Sequence, residues 1–169
     1  MTPQTQSDQV NLQEDDHVEQ SARSIVEVML KRTSDAILAD DFEAMNDCFA
    51  FPLLLESMQS KMVIRTTEEH RKLFVSLIEG YRSKNVTEII RVCEVAEFVS
   101  PDMIRSLHIS HIMSGNTRVD DPMPTLATIE RIDGDWRITA SQYAATKNVP
   151  IGRAMDLHAR TSDPDSDRS

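Results

Sequence analysis

Two imidazoles stand three residues apart, His108 and His111, inside an apolar run that also carries hydroxyls, Met103 to Met113. An imidazole can exchange a proton near neutral pH or ligate a metal. In an extended chain successive side chains point to opposite faces. His108 then shares a face with Ile104, Ser106, Ser110 and Ile112. His111 falls with Arg105, Leu107, Ile109 and Met113. A regular strand therefore keeps the two rings from closing on one ion, and the His-x-x-His string carries no metal reading. Each ring is instead a candidate proton carrier. Its competing role is an imidazole hydrogen-bonded to structural neighbours.

Arg91 and Arg105 are the notable cations within predicted strands, with Glu94 and Glu97 close by. Either they form cross-strand ion pairs on an exposed face, or one turns inward and grips a ligand carboxylate with its planar fork. Trp136 can serve as core or as a ligand platform. Met62, one of nine methionines, fits an adaptable apolar cavity or an ordinary core. The four glycines make no phosphate-binding loop, and no local motif supports a Ser/His/Asp or Cys/His triad. No cofactor or metal is expected.

Those side chains need a scaffold, and the scaffold centres on residues 86–144. Four strands are predicted there: Val86–Val99, Met103–Ser114, Pro124–Asp133 and Asp135–Ala144. Asp133-Gly134 suits a tight hairpin turn, since both residues tolerate positive φ. Upstream, Val18, Ala22, Ile25, Met29 and Ala36 mark one face of a helix ending near Ala39. Asp40-x-x-Glu43 reads as the cap of a short helix that carries Phe42, Met45 and Phe49 inward. Pro52–Glu56 and Lys61–Arg65 form a hairpin. Thr66-x-x-Glu69 opens a third helix striped with Leu73, Phe74, Leu77, Ile78 and Tyr81. The class is α+β, with helices covering one face of an antiparallel sheet. The domain is expected over residues 18–146. Residues 1–17 read as a disordered acidic leader and 147–169 as a mostly disordered tail, in which Ile151–Leu157 could dock as a short helix.

At 169 residues, 40% hydrophobic and 27% charged, the chain is an ordinary soluble globular domain by composition. Its formal net charge of −10 argues against nucleic acid or an anionic membrane as partner. Asp8, Glu14, Asp15, Asp16 and Glu19 gather in the leader without a Lys or Arg among them. Cys48 and Cys93 sit in apolar settings without CxxC spacing, so two reduced thiols in a cytoplasmic protein are expected. The first ten residues show no signal-peptide pattern.

The order of elements, with Asp41–Phe49 leading into Phe51-Pro52, Thr66–Phe74 after the hairpin, and the turn-to-strand Gly134–Ile138, resembles the nuclear transport factor 2-like superfamily. Its ketosteroid isomerase-like and SnoaL-like polyketide cyclase members are the nearest in kind. The resemblance spans about residues 18–146. It implies a curved sheet wrapped around the helices as a cone, an apolar pocket inside, and dimers formed through the sheet. It also implies a carboxylate base near the hairpin. Glu56 lies within one residue of that position, which Ser57 occupies, and the tyrosine expected on the first helix is missing. Glu56, His108 and His111 are thus the candidate catalytic residues. Arg105, Tyr143, Trp136, Phe74 and Met62 are the candidate pocket walls. The leading expectation is a homodimeric domain binding a small apolar or weakly acidic molecule. Its alternatives are an isomerase, dehydratase or cyclase using general acid–base catalysis in the cone, and a protein-interaction module.

Overall fold

The structure, a computed structural model, describes residues 11–161, with side chains described from Ser21 onward. Helix α1 (Asn11–Leu38) and the short α2 (Phe42–Asn46) precede a hairpin of β1 (Phe49–Glu56) and β2 (Lys61–Ile64). Helix α3 (Thr67–Ser83) leads into β3 (Glu88–Ser100) and β4 (Met103–Ser114). The two-residue β5 (Thr117–Arg118), then β6 (Met123–Ile132), β7 (Asp135–Tyr143) and α4 (Pro150–Thr161) complete the chain.

Local chemistry fixes the helix starts. The Thr66 hydroxyl accepts from the Glu69 amide at 3.1 Å, and the Glu69 carboxylate accepts from the Arg65 amide at 2.7 Å, which satisfies two otherwise free donors. At α2 the cap is Asp41 rather than the expected Asp40: its Oδ1 accepts from the Ala44 amide at 3.1 Å. Asp40 instead turns the chain after α1, with φ of 52°. The Asp133-Gly134 turn forms as predicted, with φ of 51° and 86°.

The sheet runs β2-β1-β7-β6-β4-β3, with β5 added beside β4. It is curved and unclosed. The expectation of a purely antiparallel sheet is corrected at one seam, because β1 lies parallel to β7. The hairpin is thus stitched to the far end of the chain, which no pattern within either strand announces.

One face of this sheet packs on α1 and α3. Ile104, Leu53 and Ile64 are fully buried there, and Ile129 is nearly so. The inward faces of the central strands are aligned by register. Cys93 pairs with His108, His108 with Thr125, and Thr125 with Tyr143, so one row crosses β3, β4, β6 and β7. Arg91 pairs with Ser110 in the adjacent row.

Both expected termini are revised where the structure describes them. Residues 11–17, read as leader, lie in α1, while residues 1–10 are outside the described residues. Residues 150–161, read within a mostly disordered tail, form α4, which buries Ile151, Ala154 and Met155. Residues 162–169 are outside the described residues. The turn into α4 is tight: a Cβ at Gly152 would stand 2.0 Å from the Thr146 carbonyl oxygen, so only glycine fits, while Pro150 packs on Gly80 of α3.

Candidate functional site

Two linked hollows lie between the sheet and the helices, each of about 50 Å³. The sheet-side lobe is walled by Met29, Thr33, Ser106, His108, Thr125 and Ser141. The helix-side lobe is walled by Leu53, His70, Phe74, Leu77, Tyr81 and Ile151. Met45, Phe49, Arg91 and Tyr143 border both. Both lobes have mainly apolar walls, with Val26, Leu30, Ile129 and Ile138 beside the polar patch of the sheet-side lobe, and Arg91 and Tyr143 border the two.

The polar patch arises from alternation in β4. Its inward residues run Ile104, Ser106, His108, Ser110 and Ile112, all buried. Apolar ends anchor the strand in the core, and of the three polar residues between them Ser106 and His108 line the sheet-side lobe. Ser106 Oγ, His108 Nδ1, Ser110 Oγ, Thr125 Oγ1 and Arg91 Nε are buried without a hydrogen-bond partner. Each such atom costs about 1–3 kcal/mol unless something in the hollow satisfies it. Native interiors keep few of them, and four of the five belong to residues lining the sheet-side lobe, where ordered water or a ligand would satisfy them.

Arg91 is the charge at the centre. Its Nη1 donates to Thr33 Oγ1 at 2.6 Å, while the Thr33 hydroxyl donates to the Met29 carbonyl at 2.9 Å. That chain ties the guanidinium to α1. No carboxylate forms an ion pair with Arg91 among the described residues. A surface groove of about 220 Å³ between α1 and β3, lined by Leu30, Ser34 and Ile89, ends on the same side chain.

The other groups are neutral. Burial, reinforced by the Arg91 charge, pushes the His108 imidazole down to about 3. Burial pushes the Tyr81 phenol up to about 12 and raises Tyr143 against the opposing pull of a hydrogen bond with Ser141 and of Arg91. At neutral pH the cone therefore holds one cation, the uncharged imidazoles of His70 and His108, and two protonated phenols. Its walls contain no carboxylate. Such a field favours an anion.

Sequence reasoning missed His70. It is buried on the inward stripe of α3, four residues before Phe74, and is surrounded edge-on by Phe42, Phe49 and Phe51. Its Nδ1 donates to Asn46 Oδ1 at 2.8 Å. Burial lowers it to about 4, so the ring is neutral. The usable signal was an imidazole in phase with Leu73, Phe74 and Leu77. For Arg91 the sequence leaves open a surface ion pair or an inward ligand contact. In the structure it turns inward.

Of the candidates named from sequence, His108, Tyr143 and Phe74 meet in the cone. Glu56, Arg105 and Met62 do not. They line a groove of about 420 Å³ on the outer sheet face, where Glu56 accepts a hydrogen bond from Gln142 Nε2 at 3.0 Å. The hairpin turns the Glu56 carboxylate away from the hollow because Leu53 and Leu55 take the inward positions. His111 also faces outward, as the alternation demands once His108 is inside. Trp136 packs against Phe98, with ring centroids 6.0 Å apart, and under the Arg131 guanidinium, outside both lobes. Among the described residues no group of three His, Cys, Asp or Glu side chains could hold a metal.

No family profile and no curated protein matches the sequence. Solved structures match by shape. A domain of unknown function with a cystatin-like fold from Nostoc punctiforme superposes with a TM-score of 0.59 at 13% identity, over 86% of this chain and 88% of that one. An NTF-2 like protein of unknown function from Shewanella oneidensis gives 0.57 at 15% identity, over 72% and 97%. The hexachlorocyclohexane dehydrochlorinase LinA-type3 from Novosphingobium barchaimii gives 0.55 at 13%, over 76% and 88%. At such identities the likeness is one of fold, not of activity. The chain has the nuclear transport factor 2-like fold, an α+β architecture shared with the proteins described as cystatin-like.

Proposed function

We propose that this domain binds a small, weakly acidic molecule inside the cone, its carboxylate set against Arg91 and its apolar part among Leu73, Phe74 and Leu77. The carrying observation is the set of unpartnered polar atoms on Ser106, His108 and Thr125 beside the half-buried Arg91, whose Nε is itself unpartnered. A carboxylate offers lone pairs to Arg91 Nε and to the hydroxyls of Ser106 and Thr125, and charge-assisted bonds of that kind are the strong ones. The lobes are far smaller than the roughly 300–1,000 Å³ of drug-sized sites. They suit a molecule of a handful of non-hydrogen atoms.

Calorimetric titration with straight-chain acids from acetate to octanoate tests this. Short acids should bind, and Arg91→Met should weaken them by about 10–100-fold, the range for a lost charged hydrogen bond. No heat and no thermal stabilisation with any acid would sink the reading.

A second reading, general acid–base catalysis, draws on one observation: the neutral His108 imidazole and the protonated Tyr143 phenol face the same hollow. An uncharged imidazole there could accept a proton while Tyr143 and Arg91 stabilise the anion formed.

We also propose that the outer sheet face pairs with a second copy of this chain. Val95, Leu107 and Leu126 form one outward row across β3, β4 and β6, and Val92 and Ile109 lie beside it. Leu126 is 52% exposed and Val92 44%, and neighbouring exposed apolar side chains of this kind mark association surfaces. A self-complementary patch of this kind closes as a two-fold dimer. Light scattering should give a dimer for the wild type and a monomer for Leu126→Arg. A wild-type monomer at high concentration would remove this part.

A further inference from the structure

The polar patch accounts for one end of a ligand. The other end of the hollow carries its own polar feature, in a lobe that Tyr81, Arg91 and Tyr143 line together with apolar side chains. His70 lies there, 4% exposed, within a ring of phenylalanines. Its Nδ1 proton is committed to Asn46 Oδ1. A neutral imidazole has one N–H and one lone pair, so Nε2 is an acceptor. Nε2 has no hydrogen-bond partner among the described residues, and the ring lines the helix-side lobe. Arg91 borders this lobe as well. The hollow therefore carries two kinds of polar group: a cation with hydroxyls at the sheet and an imidazole lone pair at the helices, with Leu73, Phe74 and Leu77 among the walls of the helix-side lobe.

Accepting the anion reading above, we propose that the ligand is a short-chain hydroxy acid, its carboxylate at Arg91 and its far hydroxyl donating to His70 Nε2. Asn46 is then a positioning residue that sets the tautomer. The size agrees. A water-sized group needs about 10–15 Å³ on this measure, so each lobe of about 50 Å³ holds roughly four non-hydrogen atoms. A carboxylate with its first carbons fills the sheet-side lobe, and the remaining carbons with a terminal hydroxyl fill the other. Plain fatty acids leave the imidazole unpaired. Dicarboxylates place a second anion against a lone pair and are rejected, because a buried acceptor facing an acceptor costs more than either alone.

The test compares valerate with δ-hydroxyvalerate and glutarate by calorimetry on the full chain. The hydroxy acid should bind about tenfold tighter than valerate, the usual value of one added hydrogen bond in a dry site, and glutarate should bind more weakly than both. In His70→Phe, which keeps the aromatic packing, the preference for the hydroxyl should vanish while valerate affinity holds. In Asn46→Leu, which frees the tautomer, it should shrink. If that variant does not fold, the wild-type ratio and His70→Phe still decide. Valerate and δ-hydroxyvalerate binding equally, both dependent on Arg91, would overturn the hydroxyl assignment and leave the acid site standing. Binding of none of the three would overturn both. A hydroxyl preference that survives in His70→Phe would also overturn the inference, by placing the acceptor elsewhere.

Discussion

Lowering the pH from 6.5 to 4.5 should cost the fold about 4 kcal/mol, roughly 2 from each of two buried imidazoles. The ordinary histidine value is 6.5, and His70 and His108 are held at about 4 and about 3 inside the protein. Both values are depressed, chiefly by burial, so in this window the unfolded chain binds more protons than the folded one. Stability is then complete above about 6.5 and drains away as the pH falls toward the folded values. His108 has an added reason, since a proton there would face the Arg91 charge. His70 would have to carry charge among three phenylalanine rings. For a domain whose whole margin is about 5–15 kcal/mol, the loss is large. Urea midpoints measured at both pH values check it. His70→Phe should remove about half of the difference and His70→Phe/His108→Thr nearly all. A wild type as stable at 4.5 as at 6.5 would contradict the burial of both rings.

Gly152→Ala should detach α4 and destabilise the domain by about 3–6 kcal/mol. The added Cβ would meet the Thr146 carbonyl oxygen at 2.0 Å and its carbon at 2.6 Å, both backbone atoms with no rotamer to escape through. The helix must move away, and with it Met155 at 0% exposure, Ala154 at 1% and Ile151 at 7%. Burying one Met or Ile side chain contributes about 1.5–3 kcal/mol, so losing both gives the stated range. Lost urea resistance together with fast amide exchange over Pro150–Thr161 would be the signature. Ile151 also walls the helix-side lobe, so ligand binding should fall in parallel. An unchanged urea midpoint would show that α4 does not sit as described.

The resemblance of element order was enough to anticipate the fold because each element carries its own local signal. The stripe on α3, the Thr66 cap and the Asp133-Gly134 turn are short-range features, written within a few residues of where they act. The parallel seam between β1 and β7 is not of that kind. It joins strands from opposite ends of the chain, and neither strand encodes its neighbour. The same holds for α4, whose amphipathic stretch was visible while its dock on Gly80 was not.

For the site, alternation alone separated His108 from His111 and put each with its companions. It could not say which set faces inward, because both faces of β4 mix apolar and polar groups. That choice belongs to the helices: the face they cover becomes the interior, and this depends on contacts between distant segments. It brought Arg91 into the cone and left Glu56 and Arg105 outside. His70 and Asn46 met by the same route, from two helices with a hairpin between them, since a hydrogen bond across such a separation exists only after the chain has folded.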